Sequence, residues 1–279
     1  MIKKILLIAL IVTGLYWRDN WNKPVTPTEK PAINQTALTT TDSRSPLWQY
    51  LPAKEKWPEF LRVMYYMIYI KDAIDPIRAR ADYLPLDSVG IHVQHAIIAV
   101  EDHNFYQHNA ISAESITRAF MVNTSAGEIL QGGSTITQQL AKNLFLNNKQ
   151  TINRKIMEAM LAIVLEKNYS KDEILELYLN SVFFGMSCTG INQASDRLFG
   201  KAPIILKLEE AALLAGLPNA PLSLNPFENP QGAKKRQEIV LNAMQQFGFI
   251  TQSQCLQAKT NTLYLKNGTT IEYVDKVAL

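Results

Sequence analysis

Residues 101–108 read EDHNFYQH, 132–143 read GGSTITQQLAKN and 154–166 read RKIMEAMLAIVLE. Each gathers groups able to move a proton or hold an anion. In the first, Glu101 and Asp102 close an apolar run, and a carboxylate half-buried there has its pKa raised toward working pH, where it can act as a general base. In the second, two glycines precede the hydroxyls of Ser134, Thr135 and Thr137, the amides of Gln138 and Gln139, and Lys142. At a helix start those donors and free backbone N–H groups would cradle phosphate oxygens; the same residues also read as a polar cap on a core helix. In the third, Arg154 and Glu158 stand four apart and share a helix face that is otherwise too apolar to be a surface. A buried salt bridge and a cleft for a charged ligand both satisfy such a pair. The four histidines, His92, His95, His103 and His108, match no zinc-ligand spacing.

The elements that must position these groups are helical almost throughout. Val93 to Val100 is an apolar helix delivering Glu101 at its end. Ser112 is placed to cap a helix running to Phe120, and Gly132-Gly133 breaks the chain before a helix from about Thr135 to Leu146. Thr151 to Lys167, apolar on nearly every face, reads as a central core helix. Ser170 with Glu173 forms a capping box for a helix to Asn180. Leu208 to Ala215 ends at Gly216 and Pro218, and Pro230, after Asn229, opens a helix that Gly248 closes. Strand-like alternation is confined to Thr262 to Val274. The expected class is mostly α.

Across 279 residues, 47% hydrophobic and 19% charged, there is enough apolar content for a sizeable core. The net charge of +3 is too mild to call for nucleic acid. Cys188 and Cys255 lie far apart and read as free thiols. At the N-terminus, Lys3 and Lys4 precede an uncharged run from Ile5 to Trp17, shorter than the ~20 residues a spanning helix needs. Snorkelling lysines and interfacial Tyr16, Trp17 and Trp21 lengthen the effective span, and no small-x-small cleavage site follows. The expectation is an uncleaved membrane anchor over 1–22, with the remainder on the extracytoplasmic side. A Thr-, Pro- and Asn-rich linker follows over 23–45, then a catalytic domain over 46–250 and a C-terminal tail over 251–279. The aromatic-rich stretch from Leu47 to Ile70 reads as a buried helix, the alternative being a surface that dips into lipid.

Taken in order, EDHNFYQH, GGSTITQQLAKN, RKIMEAMLAIVLE, SKDEILELYLNSVFFG and EAALLAGLPNAPLSLNP resemble the peptidoglycan glycosyltransferase domain, glycosyltransferase family 51, over roughly residues 83 to 245. The resemblance implies a lysozyme-like α-helical fold and polymerisation of lipid II into glycan strands with inversion. With no room for a transpeptidase domain after Met244, it implies the monofunctional form. Glu101 would be the base that deprotonates the acceptor sugar's 4-hydroxyl. Lys142, Arg154 and Lys155 would neutralise the departing undecaprenyl pyrophosphate. Glu158 would stand beside that pyrophosphate, directly or through a divalent cation, Mg2+ or Mn2+. Asp102, Gln138 and Asn143 would line or brace the cleft, with Ser134, Thr135, Thr137 and Gln139, while His108 and Asn180 would be structural supports. The implied partners are lipid II, the growing glycan, the membrane, and cell-wall synthesis or division proteins. The chain departs from the family at Ala110 and Ser112, where glycine and aspartate are usual, and at Leu198, where tyrosine is expected. A left-handed backbone at Ala110 follows if the loop keeps the family's shape. A lytic enzyme using Glu101 as an acid, or a non-catalytic subunit that binds lipid II, shares much of this pattern.

Overall fold

The computed structural model describes residues 57–112, 133–146 and 151–272. The proposed anchor and linker, the helix after Ser112, and Gly132 lie outside the described residues. The chain divides into two units, residues 1–64 and 65–279. Helix α1 (Glu59–Ile68) runs across that boundary; everything below concerns the second unit.

Nine further helices and two small hairpins are present among its described residues. Helix α2 (Lys71–Arg78) leads to α3 (Ile91–Glu101), α4 (Ile136–Phe145), α5 (Ile152–Asn168) and α6 (Lys171–Ser181). Strands β1 (Phe183–Gly185) and β2 (Cys188–Thr189) pair antiparallel. Helices α7 (Ile191–Phe199), α8 (Leu208–Gly216), α9 (Pro230–Gln246) and α10 (Gln252–Thr260) follow, and β3 (Leu263–Tyr264) pairs antiparallel with β4 (Thr270–Ile271). The mostly α class is observed.

The core has two packed groups of helices. In one, α3, α8 and α9 lie on each other. Every residue of α8 from Glu209 to Gly216 is buried, and its alanines let both neighbours approach closely. Gly216 has no room for a side chain, because a Cβ would sit 2.8 Å from Cγ of Arg236 on α9. In the other group, α4 packs against α5 and α6. The ends of α6 and α9 are set by the expected signals: the Ser170–Glu173 capping box, and Asn229 accepting from Gly232 N–H ahead of Pro230. Asn180 is 2% exposed. Its side chain accepts from Leu84 N–H at 2.9 Å and donates to Leu84 O and Glu176 O at 2.8 Å, tying α6 to the segment before α3.

Several expectations are corrected. Helix α5 is not a central core helix: Ile152 is 81% and Ile163 53% exposed. Only the face carrying Glu158, Leu161, Ala162 and Leu165 is buried, the i, i+3, i+4, i+7 stripe that one neighbouring layer can cover. Within the stretch expected as a C-terminal tail, residues 252–272 pack on the domain. Cys255, Leu263 and Ile271 are buried, and Lys234 Nζ donates to Lys259 O at 2.6 Å. The backbone N–H of Lys266 donates to Leu198 O at 2.7 Å, which anchors the second hairpin on α7, where Leu198 is fully buried. Positive φ among the described non-glycine residues occurs at Met186 and Ser187, so Ala110 does not take the left-handed conformation. Its methyl is buried instead, at 3% exposure. No helix among the described residues is long and apolar enough to cross a membrane.

Candidate active site

Glu101 is the last residue of α3, and Asp102 is its C-cap. The Asp102 carboxylate is the joint between α3 and α4. Its Oδ2 accepts from the backbone N–H of Ile136 at 3.0 Å, the first residue of α4, and its Oδ1 lies 2.6 Å from His108 Nε2. A carboxylate at a helix N-terminus satisfies an orphan N–H and complements the helix dipole. Thr135 completes the joint. Its hydroxyl accepts from Gln138 N–H at 3.1 Å and donates to Ala110 O at 2.8 Å, while Gln138 Oε1 accepts from Thr135 N–H at 3.0 Å. The loop after Glu101 is thereby fastened to the start of α4.

This arrangement revises the phosphate cradle. Thr135, Thr137 and Gln138 are buried, and the two hydroxyls and the Gln138 amide oxygen are engaged within the fold. Thr137 donates to Glu166 Oε1 at 2.7 Å, and Lys171 Nζ reaches the same oxygen at 2.6 Å. The amide of Ile136 already has an anion, Asp102. The reading of these residues as a cap is therefore the one the geometry follows, because the Thr-x-x-Gln capping box spends the Thr135 hydroxyl and the Gln138 amide oxygen on backbone groups.

One turn into α4, Gln139 faces Glu101. Its Nε2 donates to Glu101 Oε2 at 2.8 Å, and its Oε1 accepts from the Tyr178 hydroxyl at 3.2 Å. Tyr178, on α6, thus fixes which end of the amide meets the carboxylate. The other oxygen of Glu101, Oε1, is buried with no hydrogen-bond partner. Burial pushes the Glu101 pKa above the ordinary carboxylate value. The Gln139 bond and the charges of Arg236 and Lys142 pull it down, and the Asp102 charge adds to the rise. Burial also raises Tyr178, with the charge of Glu101 contributing.

The second cluster lies at the start of α5. Glu158 is buried, and Lys155 Nζ bonds its Oε1. Arg154 Nη1 lies 3.6 Å from Oε2. Lys155 Nζ also reaches Ser134 Oγ at 2.6 Å, so the residue ahead of α4 is tied to α5. Arg154 Nε is buried and unpartnered. The structure therefore gathers Ser134, Arg154, Lys155 and Glu158 in one place and Glu101, Gln139 and Tyr178 in another, with Lys142 acting on Glu101 through its charge. Asn143 is exposed. No group of three or more His, Cys, Asp or Glu side chains suited to a metal occurs among the described residues. His103 instead stacks on Phe247 at 3.8 Å, and His95 packs on Phe249.

Arg236 and Tyr178 were not found from sequence. Arg236 comes from α9, far along the chain, in a run of basic residues with no motif of its own; Tyr178 sits in an apolar stretch where its ring alone explains it. The one available signal was Thr135-x-x-Gln138, which spells a capping box.

Residues 71–245 match the transglycosylase family. The chain belongs to that family. It is 46% identical over 193 residues to penicillin-binding protein 1A of Aquifex aeolicus, covering 69% of this chain and 27% of that protein. It is 43% identical over 178 residues to penicillin-binding protein 1A of Escherichia coli, covering 64% and 21%. A Cupriavidus necator protein named as a transglycosylase is 40% identical over 183 residues, covering 66% of this chain and 79% of its own length. The transglycosylase match thus takes in about a quarter of the length of the penicillin-binding proteins and most of the Cupriavidus protein. It includes both carboxylate clusters.

Proposed function

We propose that this transglycosylase is a peptidoglycan glycosyltransferase of lysozyme-like fold that polymerises lipid II. Glu101 takes the proton from the 4-hydroxyl of the acceptor sugar as that oxygen attacks the donor's anomeric carbon. The bond from that carbon to the pyrophosphate oxygen breaks, the electron pair leaves with undecaprenyl pyrophosphate, and configuration inverts. Arg154, Lys155 and Lys142 offset the charge that grows on the leaving group, and Ser134 contributes a hydroxyl beside Lys155. The supporting observation is the state of Glu101: one oxygen is held by Gln139 and the other is buried without a partner. A desolvated carboxylate with one free oxygen is suited to accept a proton.

Glu158 is paired with Lys155 and Arg154, and no second carboxylate joins it in a metal-holding group among the described residues. A carboxylate already neutralised by two cations does not fit a protein-held Mg2+ or Mn2+. Glu158 instead keeps the two cations in position for the pyrophosphate. The polyprenyl tail of the substrate places the reaction at a membrane surface, with the domain on its extracytoplasmic side. The N-terminal stretch 1–22 is the proposed tether, and cell-wall synthesis or division proteins are the expected company.

The test is polymerisation of labelled lipid II by the detergent-solubilised chain, with products separated on a gel. Wild type makes a ladder of longer glycans, and Glu101→Gln lowers the rate by about 10² to 10⁴, the range for loss of a general base. A Glu101→Gln chain that keeps more than about a tenth of the wild-type rate refutes the base role. Shortening of preformed glycan in place of a ladder refutes the polymerase.

A further inference from the structure

A cleft of about 650 Å³ has walls from the β1–β2 turn, the end of α7, residues 225–228 and the β3–β4 hairpin. None of these elements carries Glu101 or Glu158. Gly185 pairs with Cys188, which makes Met186 and Ser187 the two loop residues of a tight hairpin. Both have positive φ, 54° and 60°. Turns with φ > 0 at both central residues are ordinarily filled by Asn-Gly, Asp-Gly or Gly-Gly, since a Cβ makes that backbone unfavourable. Here the chain keeps two side chains on the cleft wall that glycine would remove at no steric cost. Backbone strain of this kind concentrates where a side chain has a use.

The facing groups are mainly donors. The Arg197 guanidinium lies 5.8 Å from the Phe227 ring centroid, and its neighbour Asp196 is taken by Lys266. Asn225 Oδ1 accepts from Phe227 N–H at 3.1 Å, and Asn267 Oδ1 accepts from Thr269 N–H at 3.0 Å. With their oxygens engaged, both amides have NH2 as the free end. Glu228 is the one unpaired carboxylate in the lining among the described residues, so with Arg197 positive and Lys266 offset by Asp196 the cleft is close to neutral. One free guanidinium with two amide donors suits a singly charged carboxylate better than a phosphate dianion. Arg197 offers a planar fork for it, while Phe227 and the Met186 thioether offer apolar surface for a short aliphatic group beside it.

We propose that this cleft is a subsite for the peptide stem of the glycan, holding a stem carboxylate on Arg197 with the amides of Asn225 and Asn267, and packing its aliphatic part on Met186 and Phe227. The proposal rests on the peptidoglycan reading above for the identity of the ligand.

The experiment titrates the full chain in detergent with two soluble probes that lack the lipid: disaccharide-pentapeptide, and the same disaccharide without its peptide. Wild type binds the pentapeptide form at least about tenfold more tightly. Arg197→Ala and Asn267→Ala, each checked for a wild-type melting midpoint, erase most of that difference, as expected for removal of a charge-assisted contact. Arg197→Lys restores part of it, since the charge is kept and the planar fork is lost. Equal affinity of wild type for the two probes overturns the proposal, as does an undiminished difference in both folded variants. An unrelated acidic tetrapeptide binding as tightly as the pentapeptide form also overturns it, in favour of a site for a protein tail. The lipid II polymerisation gel is read separately: its failure removes the glycosyltransferase reading, whereas a polymerising wild type with no stem preference removes the subsite alone.

Discussion

Gln139→Leu tests how Glu101, the proposed base, is tuned. The substitution preserves roughly the side chain's size but removes the donor to Glu101 Oε2 at 2.8 Å and the acceptor for the Tyr178 hydroxyl at 3.2 Å. The lost bond favours ionised Glu101, opposing the burial that raises its pKa. Without it the protonated form persists to higher pH. A hydrogen bond to a charged group is worth roughly 1.5–3 kcal/mol, and one pH unit corresponds to about 1.4 kcal/mol. The acid limb of the polymerisation rate, followed with labelled lipid II across pH, should therefore move upward by about one to two units. The rate at alkaline pH should stay within a few-fold of wild type. Tyr178 is fully buried, so its stranded hydroxyl also lowers stability by about 1–3 kcal/mol, and adding Tyr178→Phe recovers part of that loss. A rate depressed equally at every pH, with the acid limb unmoved, refutes the reasoning, because Gln139 would then act on substrate and not on the ionisation of Glu101.

The remaining predictions concern stability. Because burial raises the Glu101 pKa, the folded state binds that proton more tightly than the unfolded state does. The resulting stabilisation is full below the unfolded pKa and lost as pH rises through the folded one. Glu101→Gln should consequently melt above wild type at neutral pH, with the gap closing as pH falls below the ordinary glutamate range; a lower midpoint at neutral pH contradicts the assigned direction. Ala110→Gly should lower stability by about 0.5–1 kcal/mol, since the backbone there needs no glycine and a buried methyl is lost; thermal unfolding that shows a gain would restore the left-handed loop. Thr135→Ala should cost about 0.5–2 kcal/mol by removing the cap, with Thr135→Ser close to wild type in the same melts.

Helix positions were legible because apolar spacing and caps are local properties. Ser170 with Glu173, and Asn229 before Pro230, mark their helix starts within a few residues, and the structure uses them as read. Glu101 at the end of an apolar helix followed from the same spacing. What a hydroxyl bonds to is not local. Thr137 finds Glu166 on another helix, and Thr135 finds Ala110 O on the preceding segment; neither partner is visible from the polar run alone. The exposed face of α5 has a related cause. Apolar residues spaced all round a helix mark what can be buried, but one neighbouring layer covers only one stripe, and Ile152 and Ile163 are left outside it. Arg236 was invisible because its influence on Glu101 depends on α9 crossing α3, with Gly216 leaving space for its stem.

The polar residues that first suggested an anion site still bear on the chemistry, one step removed. Glu101 is useful only if its carboxylate is dry and its position is held, and a helix end supplies neither by itself, since its last residues fray. Asp102 resolves this by turning away from Glu101 and binding the first amide of α4 at 3.0 Å. It fixes the end of α3 against the start of α4 and places a compensated negative charge beside the base. Thr135 and Gln138 satisfy two more amides of that joint, and α4 carries Gln139 to Glu101 one turn on. Ser134, just ahead of the joint, ties the same element to Lys155 and through it to Glu158. A single helix start thus aligns the proposed base with the cationic cluster. Loosening it should therefore reduce polymerisation even where no side chain in contact with substrate is changed.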